Sequence, residues 1–493
     1  MFDTKLKGSI SLKFGSSVVW SGIDLLSGAS ITLVVMAALA RLLSPADFGL
    51  LGIASIFVGF ISLFSTAGLS SLIVQYRDIT ERQHTGLFCV SIVLGLSVAT
   101  LVSVCAPWLS RVYRLPQLIP ITVALGVTMF FSALAIVPRG MLQRRMAFRP
   151  IALADIASGV LAGIAAISVA VKGGQYWALI TNIVVKSAAL SALLFINAGW
   201  LPSGRPQLPS ARRLLGFSGN LTLFNAINYW ARNLDNLLIA AALGPVALGI
   251  YTRAYALMMY PVQIFTSISD PVLHPLLVDV QNDKARIKYL YFRVLKVVAL
   301  STFSIGMLLA IFPREIVYLL WGNRWQAVVP ILRYLSAVCW IQPVVASTGV
   351  VFMALGRADL LLRIGAINSV VLCAGIVVGF KYGRLEGVAI GFAIAYGLIV
   401  LPTLQLLMCT LGGRLGEMGA VLRGPAIVAL AVACTGVVIK WSATNSEILR
   451  TSILGLVSTG LVFIAACLWL ERPLMIELRA LATRLIPALN TNQ

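Results

Sequence analysis

Leu39-Ala40-Arg41-Leu42-Leu43-Ser44-Pro45-Ala46-Asp47-Phe48-Gly49 returns 200 residues later as Ile239-Ala240-Ala241-Ala242-Leu243-Gly244-Pro245-Val246-Ala247-Leu248-Gly249. In each copy a long apolar stretch ends, a Pro marks a short turn, a Gly follows four residues on, and a second apolar stretch begins. Over positions 40–54 and 240–254 five residues coincide: Ala40, Leu43, Pro45, Gly49 and Ala54 match Ala240, Leu243, Pro245, Gly249 and Ala254. The duplication predicts two homologous halves, each a set of membrane helices. A protein built that way carries its cargo through the space between the halves.

Composition points the same way. The chain is 59% hydrophobic and 11% charged, with a mean hydropathy of +0.95; a soluble chain is about a quarter charged. The apolar runs are continuous rather than alternating, which predicts helices and not a barrel. Each run can cross about 30 Å of hydrocarbon. The expected fold is therefore all-α and polytopic, with about 14 transmembrane helices. The spans read as 14–40, 46–73, 85–107, 117–138, 150–171, 175–197, 216–242, 248–275, 293–312, 327–355, 362–380, 386–409, 420–439 and 449–470. The loops between them are too short for a soluble domain, which needs about 50 residues. Lys5, Lys7 and Lys13 precede a first span too long for a cleaved signal, so that span is expected to act as the insertion signal.

A net charge of +21 raises the question of nucleic acid, and its placement answers it. With the amino terminus in the cytoplasm, 24 of the 38 Lys and Arg fall on cytoplasmic segments and 10 on the other side. That asymmetry follows the positive-inside rule and predicts both termini in the cytoplasm. The basic charge is read as topology and attraction to membrane lipids, with no nucleic-acid partner. Seven cysteines lie in or beside apolar spans without a CxxC, as small buried hydrophobes.

Gly199–Arg213 holds five Gly or Pro residues (Gly199, Pro202, Gly204, Pro206 and Pro209) and three arginines, and reads as a cytoplasmic connector. The expected organisation is an amino-terminal six-helix bundle over 1–198, a connector over 199–215, a second six-helix bundle over 216–410, and two extra spans with an amphipathic cytoplasmic tail over 411–493. An even number of spans per half gives pseudo-symmetry about the membrane normal. The basic, apolar ends Met1–Lys13 and Leu474–Leu489 fit interfacial helices.

Polar groups inside spans are expensive: an ionised side chain near the bilayer centre costs about 2.5–3.5 kcal/mol on insertion scales. Asn225, Asn228, Arg232, Asp235 and Asn236 fall at helical spacing on one stripe of the seventh span. That stripe reads either as the wall of a hydrophilic cavity or as an internal ion pair holding helices together. Arg253, Tyr260 and Gln263 share a face of the eighth span, Asn182 and Lys186 lie on the sixth, and Arg333 on the tenth. These eleven residues form the candidate substrate cavity. Asp24, with no local partner in sequence, is the candidate ion-coupling carboxylate. Only His84 and His274 occur, without ligand-spaced neighbours, and no GK[ST] phosphate loop is present. No metal site, cofactor, ATPase or other catalytic centre is therefore expected.

Three motifs carry a resemblance. They are Leu42–Gly49, the basic turn Pro138-Arg139-Gly140-Met141-Leu142-Gln143-Arg144-Arg145-Met146-Ala147-Phe148-Arg149, and Arg232-Asn233-Leu234-Asp235-Asn236-Leu237-Leu238-Ile239 with Leu248–Tyr255. In these the chain resembles Wzx-type bacterial polysaccharide flippases of the multidrug/oligosaccharidyl-lipid/polysaccharide superfamily, nearest the colanic-acid and xanthan exporters. The likeness runs from about residue 10 to 470 and is weak in the last four spans. It implies two six-helix bundles facing a central cavity, plus two extra helices. The implied task is translocation of an undecaprenyl-diphosphate-linked oligosaccharide across the inner membrane by alternating access. Implied partners are that lipid-linked oligosaccharide and the polymerase and chain-length/export proteins of its pathway. Competing readings are a peptidoglycan-precursor flippase, a drug antiporter, and a membrane polymerase or ligase. The absence of a long loop with paired carboxylates counts against the last.

Overall fold

The computed structural model describes residues 2–63, 80–207, 218–442, 455 and 457–465. The helices in chain order are α1 (Phe2–Leu42), α2 (Pro45–Ser62), α3 (Glu81–Tyr113), α4 (Leu118–Arg144), α5 (Phe148–Val171), α6 (Tyr176–Ala198), α7 (Ser218–Asp279), α8 (Lys284–Ile311), α9 (Pro313–Trp321), α10 (Val328–Ser336), α11 (Val338–Ala354), α12 (Ala358–Thr410) and α13 (Leu415–Ser442). Among the described residues ten helices are long and apolar enough to cross a membrane, or eleven when the bent pair α10–α11 counts as one span.

The fourteen expected spans map onto fewer helices for a physical reason. α7 breaks at Gly244 (φ 81°, ψ −174°) and holds the expected spans 216–242 and 248–275. α12 breaks at Gly383 and Arg384 and holds 362–380 and 386–409. The expected span 327–355 is bent by 47° between α10 and α11. Most of 449–470, and the tail Leu474–Leu489, lie outside the described residues.

The chain forms two compact units, the first running to Gly249 and the second from Ile250 to Leu481. In the first unit α3 packs along α4, α5 along α6, and α1 along α5. Leu87, Phe88, Val137, Met141, Ile151, Leu194 and Trp200 form one of its buried clusters. In the second unit α8 packs against α13 and α11, and α11 against α12, around Leu277, Ile287, Tyr291, Leu295, Phe352, Leu407 and Met408. Large apolar side chains cover the outside: Val34, Val104, Ile164, Val370, Leu398 and Val438 are all more than half exposed. Such a surface suits a lipid solvent. Cysteines share it: Cys339 is buried as expected, while Cys89, Cys409 and Cys434 are exposed. An apolar thiol needs no protein core when lipid surrounds it.

The duplicated turns meet each other. Ser44 caps α2, accepting from the Asp47 N–H while the Asp47 carboxylate accepts from the Ser44 N–H at 2.9 Å and hydroxyl at 2.6 Å. Pro45 takes the first helical position, where a missing N–H costs nothing. The helix so fixed lies against the second copy of the turn. A Cβ on Gly49 would stand 1.7 Å from the Pro245 carbonyl oxygen, and one on Gly249 would stand 1.9 Å from that of Pro45. The contact is reciprocal, backbone on backbone.

In the second unit the two legs of α12 approach in the same way. A Cβ on Gly379 would meet the Gly387 oxygen at 2.1 Å, and one on Gly391 the Gly375 oxygen at 2.0 Å. Small residues that let backbones touch are the usual adhesive of membrane helices.

Gly49→Ala and Gly249→Ala are each expected to destabilise the folded protein by about 1–3 kcal/mol through overpacking. The double variant should cost less than the sum, since both substitutions pry open one contact. Gly28→Ala, with open space where its Cβ would go, should be neutral. Thermal unfolding of the detergent-purified protein measures all four.

Candidate functional site: a charge cluster among four helices

The first unit gathers charge from four helices. Arg139 near the end of α4 donates from Nη2 to Asp155 Oδ2 of α5 at 3.1 Å. Asp24 on α1 is half-buried and within electrostatic reach of Asp155, Arg139 and Lys186 of α6. Two positive and two negative groups thus sum to zero. Asn182, one turn before Lys186, is 9% exposed and adds an amide beside the charges.

The fold brings the candidate coupling carboxylate Asp24 and the candidate cavity cation Lys186 into one cluster. The cluster also recruits Arg139 and Asp155, which local sequence rules leave out. Asp24 has its electrostatic neighbours 115 and more residues away. The legible signal was the single charge on each of several adjacent spans.

The basic turn between α4 and α5 is largely engaged in holding helices. Besides the Arg139 pair, Arg145 donates to the Ala198 carbonyl at 3.2 Å, at the end of α6. The Arg149 guanidinium lies 5.6 Å from the centre of the Trp20 ring on α1, within cation–π range.

The stripe on α7 divides. Arg232 is exposed, whereas Asp235 is 1% exposed. Asn236 donates its backbone N–H to Asp235 Oδ1 at 2.7 Å. Its own side-chain Oδ1 is buried without a hydrogen-bond partner among the described residues. The side chains of Asn225 and Asn228 lie outside the described residues. Tyr229, on the same leg, donates its hydroxyl to the Ile56 carbonyl of α2 at 2.6 Å.

In the second unit Arg253 sits within electrostatic reach of Tyr260 on the same helix, and Gln263 is exposed. Arg333 is exposed on the nine-residue α10. Two further polar pairs, not signalled by spacing in the sequence, occur here: Tyr291 hydroxyl with Ser347 Oγ at 3.1 Å, and Lys288 with Glu417 at 2.7 Å. Among the described residues no group of three or more His, Cys, Asp or Glu could hold a metal ion.

Long apolar helices, paired internal breaks and ionisable groups sheltered among them define a multi-pass membrane protein. The chain belongs to the polysaccharide biosynthesis protein family, whose model matches residues 38–330. It is 26% identical over 395 residues to the lipopolysaccharide biosynthesis protein WzxC of Escherichia coli (strain K12), covering 78% of each chain. It is 24% identical over 323 residues to the succinoglycan biosynthesis transport protein ExoT of Rhizobium meliloti (strain 1021), covering 65% of each. Among solved structures it is similar to the lipid II flippase MurJ in its inward closed conformation. The TM-score is 0.68 at 13% identity, over 93% of this chain and 100% of that one. That likeness fixes the fold as MurJ-like.

Asp155→Ala or Arg139→Ala is expected to destabilise the protein by about 1–2 kcal/mol. The value falls between an exposed pair and a fully buried one, as the side chains are 18% and 39% exposed. The exchange R139D/D155R should recover a measurable part of the loss, which a double-mutant cycle on unfolding temperature reads directly.

Proposed function

We propose that this protein is an inner-membrane flippase that moves a polyprenyl-diphosphate-linked oligosaccharide repeat unit outward for exopolysaccharide, O-antigen or capsule synthesis. The observation that carries the reading is the neutral charge cluster of Asp24, Arg139, Asp155 and Lys186, held within the MurJ-like fold of a polysaccharide biosynthesis family member. A hydrated sugar head with a diphosphate cannot cross hydrocarbon unaided. Amides such as Asn182 can replace its water, and cations such as Lys186 and Arg232 can hold phosphate oxygens. The lipid tail stays in the bilayer throughout.

In this account Lys186, Asn182, Asn225, Asn228, Arg232 and Asn236 serve the substrate on the first unit, and Arg253, Tyr260 and Gln263 on the second. Asp24 couples transport to a proton or sodium ion: occupancy of its carboxylate by a cation changes the balance of a cluster that is otherwise neutral. Access alternates between the two membrane faces, with both termini in the cytoplasm. The process makes and breaks no covalent bond, so the protein is a transporter and not an enzyme. Its working partners are the polymerase and chain-length or export proteins that take the flipped unit.

The MurJ-like fold favours a second reading, a peptidoglycan-precursor flippase. Family membership and the WzxC and ExoT relatives weigh toward the polymer repeat unit. Gene deletion separates the two: loss of one surface polymer with normal cell-wall growth supports the first reading, and lysis supports the second.

Two variants test the site. Lys186→Ala and Arg232→Ala are each expected to reduce polymer export at least tenfold while the protein still inserts, with lipid-linked repeat units accumulating on the cytoplasmic face. Unchanged export in both would remove the cavity assignment. Asp24→Asn is expected to abolish the response of export to an imposed proton or sodium gradient. In membrane vesicles, a gradient response equal to the parent's would exclude Asp24 as the coupling group.

A further inference from the structure

Between α8 and α11 the second unit carries two short helices joined by a tight turn, the second of them bent by 47° against α11. Phe312 ends α8, Pro313 opens α9 at its first helical position, Gly322 (φ 82°) stops it, a 3-10 turn over Asn323–Trp325 follows, and α10 completes the segment. Each of the two helices has nine residues, about 13 Å of length, less than half the hydrocarbon thickness.

Both helices are two-faced. Val317, Trp321, Trp325, Val328, Ile331 and Leu335 are buried, and the Trp321 and Trp325 ring centres are 5.6 Å apart. The outward face carries Arg314, Arg324 and Arg333, with Tyr334 beside them at 36% exposure. The one acid of the segment, Glu315, is turned inward, 7% exposed, and is held by Lys440 of α13 at 3.4 Å. The same ammonium caps the end of α8 by donating to the Ile311 carbonyl at 2.7 Å. The segment's only negative charge is therefore engaged internally, and its exposed face is purely cationic.

Its location makes that face unusual. α8 carries Lys284, Arg286, Lys288, Arg293 and Lys296 in its first half, and the segment follows the opposite, charge-free end. Three exposed arginines stand where the positive-inside bias predicts few.

We propose that α9 and α10 form an interfacial shelf on the non-cytoplasmic side whose arginines bind the phosphate headgroups of anionic phospholipids. The buried tryptophans anchor the shelf to the unit, and the guanidinium groups meet phosphate at headgroup depth. Arg333 then serves the lipid surface instead of the substrate cavity. The inference does not depend on what the protein transports.

Native mass spectrometry of the full chain, titrated separately with phosphatidylglycerol, phosphatidylcholine and undecaprenyl diphosphate, tests it. R314Q/R324Q/R333Q is expected to lose phosphatidylglycerol adducts that the parent retains, with affinity at the lost sites falling on the order of a hundredfold. R314K/R324K/R333K should keep most of them, and phosphatidylcholine adducts should not change. Equal phosphatidylglycerol retention by the parent and the glutamine variant overturns the proposal. So does a loss confined to undecaprenyl diphosphate, which would place the substrate headgroup there. Should the triple glutamine variant fail to fold, R314Q and R324Q singly read the same comparison, with a fivefold loss each expected.

Discussion

The contact on which the first unit turns is the approach of two backbones at Gly49 and Gly249, each lying against the proline carbonyl of the other copy of the turn. Inside a membrane the hydrophobic effect gives helices little reason to associate, because lipid is as apolar as their side chains. Cohesion must come from surface fit and from weak polar contacts such as Cα–H···O. A residue without a Cβ is what permits both. The two legs of α12 repeat the solution with Gly375, Gly379, Gly387 and Gly391, so one physical device holds a contact between duplicated turns and a contact between neighbouring spans.

Once helices pack this closely, ionisable groups among them must balance. Asp24, Arg139, Asp155 and Lys186 come from four helices and cancel in sign. Isolated, each would carry the insertion cost of an ion in hydrocarbon; here Arg139 and Asp155 pair directly and Asp24 lies within electrostatic reach of both and of Lys186. Neutrality also makes the cluster responsive. In the proposed function, adding a proton or cation to one carboxylate would leave a net positive charge in a region that tolerates it poorly, which movement of a helix or arrival of an anion would relieve. A set of four groups from different helices can register ligand binding in a way that one local ion pair cannot.

Much of this was legible in the sequence, and the failures have specific physical causes. The Pro–Gly repeat disclosed the duplication, because few residues can turn a chain between membrane helices. It could not disclose that the two copies touch, since spacing along a chain says nothing about contact across it. Span counting saw apolar length and missed the 47° bend between α10 and α11. Helical periodicity put Arg232 and Asp235 on one stripe, but three residues advance the helix by about 300°. The two therefore sit about 60° apart, enough for one to be exposed and the other buried. The Pro-rich segment after Gly199 reads as a connector, and composition does not show that its first part is pinned to α3: Trp200 Nε1 donates to Glu81 at 2.9 Å, Ser203 pairs with the Thr85 hydroxyl, and the Gln207 N–H donates to the Arg82 carbonyl at 3.0 Å. Composition reports backbone freedom and not the partners that remove it.

The basic turn of α4 and α5 bears on how family motifs should be read. Four arginines in eleven residues invite a phosphate-binding role, yet three have structural work within the unit. Arg139 neutralises Asp155, Arg145 satisfies the carbonyl at the end of α6, and Arg149 covers Trp20. A guanidinium suits each task, since it is planar, always charged and rich in donors. The motif therefore fits the demands of closing one end of a helix bundle, whatever the cargo. In the proposed function, substrate discrimination falls instead to groups such as Lys186 and Asn182, set on a span and outside any local motif. That division explains why the residues carrying the resemblance leave the sugar unidentified.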